Sequence, residues 1–441
     1  MNQIASIIPI ASAIEVLAEF ASTASGDAHR ERISVHIADA VIALLAGRAS
    51  GEGKAIVDFF ARAEGSPLAM ISANAAAMRL SEIDDIHRPS AVTASAIAFP
   101  AALGMATLTS ATPQRFADAI FVGQALSIRL AMALGGVGLM TRGFWPSYLV
   151  APFGAAATAA RMLNLTPART AHALALALAQ TPHQVGRSVG ARPGRWLLFG
   201  NAIRSGCLAA LAAADGIDGD PALLNSAWLQ TIGGPATDLG FLTPAADSPA
   251  PVEQLSIKPH CAAKQTLAAI YGLQRLIAEG LAPAAIESLD LFVPTAYAGM
   301  IDREPASASR LASMVSVRWQ LALAAMRPAS LDDVARDALP EDMALEKFSA
   351  KVKIHADAAL DNLYPQSWPA RLLVSTGASS REILVEDSPG DPGLRFDRNA
   401  IEDKARRIFP GHAAIDLVTQ GFDAPSDAAA LNVLCQYFKQ A

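Results

Sequence analysis

The sequence predicts a mainly α protein carrying a second, α+β domain, and three observations lead to that fold class. Residues 4 to about 214 run in Ala/Leu-rich stretches of helical period with hardly any strand-like alternation. Two Pro-rich breakers, Asp247-Ser-Pro-Ala-Pro251 and Asp387-Ser-Pro-Gly-Asp-Pro-Gly393, bracket a segment of different texture. Helical period returns after the second breaker, so both ends of the chain are expected to share one domain. The predicted division is an all-helical domain from residues 1–252 plus 394–441, with an α+β domain, 253–393, inserted between them. At 441 residues the chain exceeds the size at which a single core stops growing, and two cores fit that length.

Taken in order, Ile4 to Leu17 reads as a first amphipathic helix. It has no basic start and contains Glu15, so it does not read as a signal peptide, and a cytoplasmic location is the expectation. Thr112-Pro113 and Thr166-Pro167 each set a capping hydroxyl before a first-turn proline. Between them, Arg142 to Leu165 gathers aromatic rings, Pro146 and Pro152 into what reads as a non-helical turn. Its second half reads as a helix of small residues that lets neighbouring backbones approach. Inside the insert, Ala263, Leu267, Ile270, Leu273 and Ile277 recur at helical spacing. Ser288 to Val293 reads as a strand, Lys351 to His355 alternates, and Arg371 to Thr376 pairs with Glu382 to Glu386 as a hairpin across Gly377-Ala-Ser-Ser. Asn399 to Phe409 and Asp427 to Lys439 are predicted helices.

Composition narrows the function classes. Hydrophobic residues make up 52% and charged ones 17%, with mean hydropathy +0.30, a balance that suggests surface buried between subunits. A net charge of −6 and a pI near 5.8 supply no basic field for a phosphate backbone, so nucleic acid is not an expected partner. Arg129, Arg161 and the prolines at 146 and 152 interrupt the longest apolar runs short of the roughly 20 residues a membrane span needs, and no membrane partner is expected. Cys207, Cys261 and Cys435 are odd in number and far apart, which fits free thiols.

Several patterns could carry chemistry. Gly186-Arg-Ser-Val-Gly190 has the G-x-S-x-G spacing of a nucleophile elbow, but a helical run precedes it and Pro193 follows, so it reads as a helix-terminating loop. Gly135-Gly-Val-Gly138 lacks the preceding strand of a phosphate loop and reads as a turn. Asp84-Asp85-Ile86-His87 has no second ligand cluster at a metal spacing, so no metal is expected. Adjacent carboxylates are either solvated or capped, or one raises the other's pKa and makes it an acid or base. Arg192, Arg195 and Arg204 surround a loop and helix start, and Ile257-Lys-Pro-His-Cys261 places Lys258 and His260 where the insert begins. Fixed cations between two domains suit a carboxylate substrate, and a desolvated lysine can take a proton; charges flanking a hinge are the alternative.

These residues together resemble the MmgE/PrpD family, which includes 2-methylcitrate dehydratase, cis-aconitate decarboxylase and iminodisuccinate epimerase. Asn74-Ala-Ala-Ala is similar to the family's N-G-x-A helix, Glu82-Ile-Asp-Asp85 to its D-[FY]-D-D, and Phe144-Trp-Pro with Phe153-Gly-Ala-Ala to its W-H-P turn and small-residue helix. Arg195 to Gly206 resembles K-P-x-x-x-G-x-A-A-x-x-G, Ile257-Lys258-Pro resembles K-x-[YFW]-P, and Ser316-Val-Arg-Trp319 resembles F-S-x-x-Y. Gly390-Asp-Pro392 followed by Lys404 resembles the closing G-D-P and lysine helix. The resemblance spans nearly the whole chain. It implies a large all-helical domain built from both chain ends, a smaller α+β domain, a homodimer, and a site between the domains that uses no cofactor. In the family, that site takes a proton from carbon beside a carboxylate, then eliminates water or carbon dioxide, or returns the proton to the opposite face.

The chain departs from the family pattern at several positions. Trp145 and Thr93 stand where dehydratases and decarboxylases carry histidine, Glu82 replaces an aspartate, Ile86 a threonine, Arg195 a lysine and Trp319 a tyrosine. The resulting expectation is proton abstraction beside a carboxylate or carbonyl of a small anionic substrate, with isomerisation or epimerisation easier than elimination. Lys258 would be base or carboxylate anchor, Asp85 and His87 alternative proton carriers, and Tyr148 a donor to a developing enolate. Arg195 would hold a carboxylate bidentately, Trp145 and Trp319 would narrow and dry the pocket, and Thr93, Glu82 and His260 would complete the binding set. The alternative is a catalytically inactive homologue that binds a ligand or partner.

Overall fold

The computed structural model describes residues 11–181, 194–243, 248–303, 310–335, 342–377, 379–409 and 411–440. It is mainly helical, 64%, with a small mixed sheet around residues 286–385. The first helices are α1 (Ala11–Thr23), α2 (Arg30–Ala49), α3 (Gly51–Ala63), α4 (Pro67–Leu80), α5 (Ala94–Ala106) and α6 (Pro113–Ala133). They are followed by α7 (Pro146–Met162), α8 (Pro167–Ala179) and α9 (Gly194–Ala214). Thr112 and Thr166 cap as their sequence predicts, accepting from Arg115 N at 3.2 Å and Arg169 N at 3.3 Å. Residues 4–10 of the expected first helix, the Gly186–Gly190 motif and Arg192 lie outside the described residues.

The aromatic stretch corrects the sequence reading. Only residues 142–145 form the turn, because α7 starts at Pro146 and contains Pro152 in its interior. An internal proline removes one helix hydrogen bond, but α7 is buried from Pro146 through Ala160, so tertiary packing outweighs that loss. Part of that packing is a close approach from α9, where a Cβ on Gly206 would fall 2.2 Å from the Pro152 carbonyl oxygen.

Two very short strands, β1 (Ile86–His87) and β2 (Leu255–Ser256), pair antiparallel with Ile86 opposite Ser256. The smaller region then adds α10 (Lys264–Ala278), β3 (Ile286–Val293), α11 (Val317–Met326), α12 (Met343–Ser349), β4 (Val352–Ala356), β5 (Ala370–Thr376) and β6 (Ser380–Val385). Its sheet order is β4-β3-β5-β6, with β3 and β4 parallel and the other pairs antiparallel. Burial alternates along β3 and β5, so Leu289, Leu291, Val293, Leu372 and Val374 meet Leu267, Ile270 and Leu273 of α10 in one core. The chain then returns to the larger core through α13 (Arg398–Ile408), α14 (His412–Asp423) and α15 (Ala428–Lys439), burying Ile401, Ala405, Val418, Phe422, Leu434 and Phe438.

Two described helices, α6 and α9, are long and apolar enough to cross a membrane by length and composition, which corrects the expectation that the longest apolar runs fall short of a span. Arg129 lies inside α6 without lowering its mean hydropathy below that range. Within the fold, 89% of the apolar window of α6 and 50% of that of α9 are buried against protein.

Candidate active site

The two-residue strands β1 and β2 lead into a cluster of buried charged side chains. Extending the β1–β2 register by two residues sets Asp84 opposite Lys258, and the side chains meet there: Lys258 Nζ donates to Asp84 Oδ1 and to Glu82 Oε2, each at 3.2 Å. Arg79, on the last turn of α4, reaches the same two carboxylates, 3.0 Å from Glu82 Oε2 and 3.2 Å from Asp84 Oδ1. Arg195, at the start of α9, lies 3.6 Å from Glu82 Oε1 and stacks on the Trp196 ring at 4.1 Å. Lys258 is 2% exposed and Asp84 is fully buried.

Burial and charge treat the two carboxylates differently. Burial pushes the Glu82 carboxyl up, but Arg79, Lys258 and Arg195 outweigh it and hold the group down at about 2. For Asp84 burial dominates over Arg79 and Lys258, helped by the neighbouring charges of Glu82 and Asp85, and its pKa is raised. Asp84 Oδ2 is buried without a hydrogen-bond partner. Three basic side chains against two carboxylates leave an excess of positive charge when all five are ionised, suited to an anionic ligand. Tyr148, in electrostatic reach of Arg79, Arg195, Glu82 and Asp84, packs on Phe199, and burial pushes its phenol up to about 12, so it keeps its proton at neutral pH.

The segment just past β2 that carries Lys258 is held in place by the second Pro-rich breaker. Ile257 N donates to Gly390 O at 2.9 Å, and Gly390 has φ +89, with a would-be Cβ only 2.1 Å from Ile257 O. The next residue, Asp391, accepts from Lys264 Nζ at 2.9 Å and from Ser388 N at 2.8 Å, tying the breaker to the first turn of α10.

The MmgE/PrpD N-terminal domain model matches residues 15–232, and the MmgE/PrpD C-terminal domain model matches residues 260–420. The chain belongs to the MmgE/PrpD family. No curated protein matches it. MmgE/PrpD proteins are generally dehydratase- or decarboxylase-type enzymes. Glu82, Asp84 and Arg195 fall inside the N-terminal match, whereas Lys258 lies between the two matched segments. The C-terminal match also takes in α13, which packs in the larger core.

Against this MmgE/PrpD geometry, the site residues named from sequence divide into two groups. Glu82, Lys258, Arg195 and Tyr148 converge. Asp85 turns the other way, accepting from Ser95 N at 3.0 Å and from Ser95 Oγ, with His36 Nδ1 2.9 Å from Oδ2. Burial pushes the Asp85 carboxyl up, but His36 and Ser95 outweigh it and leave the pKa lowered. Both His87 ring nitrogens have partners, Ser90 Oγ at 2.8 Å and Gln254 Oε1 at 3.2 Å, and burial lowers its pKa to about 4. Thr93 donates through N and Oγ1 to Ser147 Oγ, at 3.0 and 3.2 Å, which ties it to the first turn of α7 beside Trp145. His260 Nδ1 meets Asp332 Oδ1 at 2.8 Å, and Asp332 also takes Arg407 Nε at 3.1 Å, so this histidine sits in a link to α13. Trp319 is 4% exposed in the smaller core. The indole nitrogens of Trp145 and Trp319 are both buried without a partner. Arg204 pairs with Glu64 at 2.8 Å, away from this cluster.

The sequence reading missed Arg79 and named Asp85 rather than Asp84 as a proton carrier, whereas it is Asp84 that meets Arg79 and Lys258. Arg79 stands three residues before Glu82, an ion-pair spacing visible in sequence. Among the described residues, no group of three or more His, Cys, Asp or Glu is placed to hold a metal ion.

Proposed function

We propose that this chain is an enzyme that, without a cofactor, removes a proton from carbon beside a carboxylate or carbonyl of a small anionic substrate. The observation carrying this reading is Asp84, whose Oδ1 is held by Arg79 and Lys258 while Oδ2 is buried, unpartnered and part of a carboxyl with a raised pKa. Ionised Asp84 takes the proton on Oδ2, and the C–H electron pair moves into the adjoining carbonyl to give an enolate. Lys258 and Arg195 face the charge that develops, and the Tyr148 hydroxyl donates to it. Return of a proton to the opposite face gives the epimer, and return to a neighbouring carbon gives an isomer. Elimination requires a further acid for the departing hydroxyl. His87 is a poor one, being neutral and bonded at both nitrogens, and this favours isomerisation or epimerisation.

A binding-only reading draws support from Thr93 and Trp145, which offer no titrating group where the resembled dehydratases have imidazoles. The test is incubation in heavy water with a panel of small mono- and dicarboxylates, read by proton NMR and mass. Deuterium beside the carboxylate of any member supports the enzyme. Saturable binding without exchange across the panel supports the binding protein and overturns our reading. We also propose a homodimer, supported by apolar side chains left exposed on adjacent α3 and α9, Phe59 at 46% and Leu198 at 53%; light scattering at twice 45.9 kDa is the expected result.

A further inference from the structure

We propose that Lys404, on the closing helix α13, is a positioning residue for this site, holding the Glu82–Asp84 turn through the carbonyl of Ile83. The proposal rests on the reading of Asp84 as the proton carrier. Lys404 is fully buried, and its ammonium donates to Asp39 Oδ1 at 2.6 Å and to Ile83 O at 2.9 Å. An ion pair with Asp39 alone would stabilise the larger core; the bond to Ile83 adds a hold on the backbone between the two carboxylates of the site. Glu82 needs such a hold, because its φ of +57 is a left-handed conformation that a side-chain-bearing residue keeps only when its surroundings impose it.

The turn is held with a period of two. Ile83 is bonded by Lys404, and Asp85 is fixed by Ser95 and His36, while Glu82 and Asp84 between and beside them extend to Arg79 and Lys258. The clamp therefore fixes the face opposite the candidate reacting groups. It also makes the closing part of the chain, which returns to the larger core, a component of the site.

Lys404→Met alone would leave Asp39 buried and unpaired, and loss of folding would then obscure the result. The working variant is therefore Asp39→Asn with Lys404→Met, which removes the pair as a neutral unit so that its net Coulomb effect on Asp84 largely cancels. Asp39→Asn alone keeps the Lys404 donor to Ile83 but leaves its ammonium buried without a carboxylate, so it serves as the control under conditions in which a melt shows it folded. Asp84 is followed by carboxyl-carbon NMR in aspartate-labelled protein, its resonance assigned by its loss in Asp84→Asn. The expected result is a titration midpoint displaced from wild type by about half a pH unit or more in the double variant. With any acid that wild type exchanges, kcat falls about tenfold or more at nearly constant KM, while Asp39→Asn stays near wild type. A midpoint in the folded double variant equal to wild type overturns the proposal. The NMR measurement needs no substrate, so an absence of exchange across the whole panel would remove the proton-transfer reading without deciding the fate of the clamp.

Discussion

Asp84 and Lys258 are 174 residues apart in sequence, yet they meet at 3.2 Å because two strands of two residues each fix their register. The same contact leaves Lys258 shared with Glu82, so one lysine holds two carboxylates in a space from which water is largely excluded.

Lys258→Met should therefore act on function and folding together. Removing the lysine leaves Glu82 and Asp84 facing Arg79 with one cation fewer, and breaking a buried pair from one side costs about 3–5 kcal/mol. Loss of a group that faces the developing charge lowers turnover by roughly a hundredfold or more. Deuterium exchange measured beside a denaturant melt separates the two effects. Turnover per folded molecule equal to wild type would show that Lys258 only holds the fold.

Glu82 predicts the acid limb of stability. Its carboxyl is held at about 2 in the folded protein against an ordinary value of 4.5, so its contribution is fully present above pH of about 4.5 and disappears as pH falls towards 2. The displacement corresponds to a contribution on the order of 3 kcal/mol. Melting temperature followed from pH 6 down to the acid transition should fall less steeply in Glu82→Gln than in wild type, although the variant starts lower. Parallel curves would show that the cations around Glu82 do not favour its ionised form.

Gly390→Ala should dislodge the segment that carries Lys258. A methyl group would lie 2.1 Å from Ile257 O on a residue whose φ is +89, and the strained conformation alone costs about 1–3 kcal/mol. A lowered melting midpoint together with reduced exchange is expected. A variant with wild-type stability would mean that the breaker loop can move without carrying Ile257 with it.

The parts of the fold legible in sequence were those with a period long enough to count. Thr112-Pro113, Thr166-Pro167, the apolar spacing of α10 and the β5–β6 hairpin all have local signals, and the structure forms each of them. Helix α14 went unrecognised. Gly421 within it lowers helix propensity, and it is accommodated because its bare backbone sits against α2, where a Cβ would lie 2.9 Å from Ala38 Cα. In the site, Lys258 and Glu82 could be named from residue type and order. The sequence reading named Asp85 in place of Asp84, because the difference lies in partners drawn from elsewhere: Arg79 and Lys258 for Asp84, His36 and Ser95 for Asp85. Strands β1 and β2 are too short for any periodicity to reveal the register that joins them.

Trp145→His tests whether the departures from the resembled dehydratases amount to one residue or a rebuilt site. An imidazole at this position would precede α7, close to Ser147, whose oxygen already accepts from both Thr93 N and Thr93 Oγ1. Thr93 has a hydroxyl committed to that bond where a dehydratase would have its second imidazole, and His87 cannot substitute because Ser90 and Gln254 occupy its nitrogens and burial holds it neutral. A single new histidine therefore lacks a partner to complete proton transfer to a leaving hydroxyl. The expected outcome is a folded variant that does not dehydrate 2-methylcitrate, measured by the appearance of the unsaturated product in the ultraviolet. Turnover from this one change would mean that the rest of a dehydratase site is already assembled around Asp84 and Lys258, and that the native reaction is an elimination with its acid supplied from another residue.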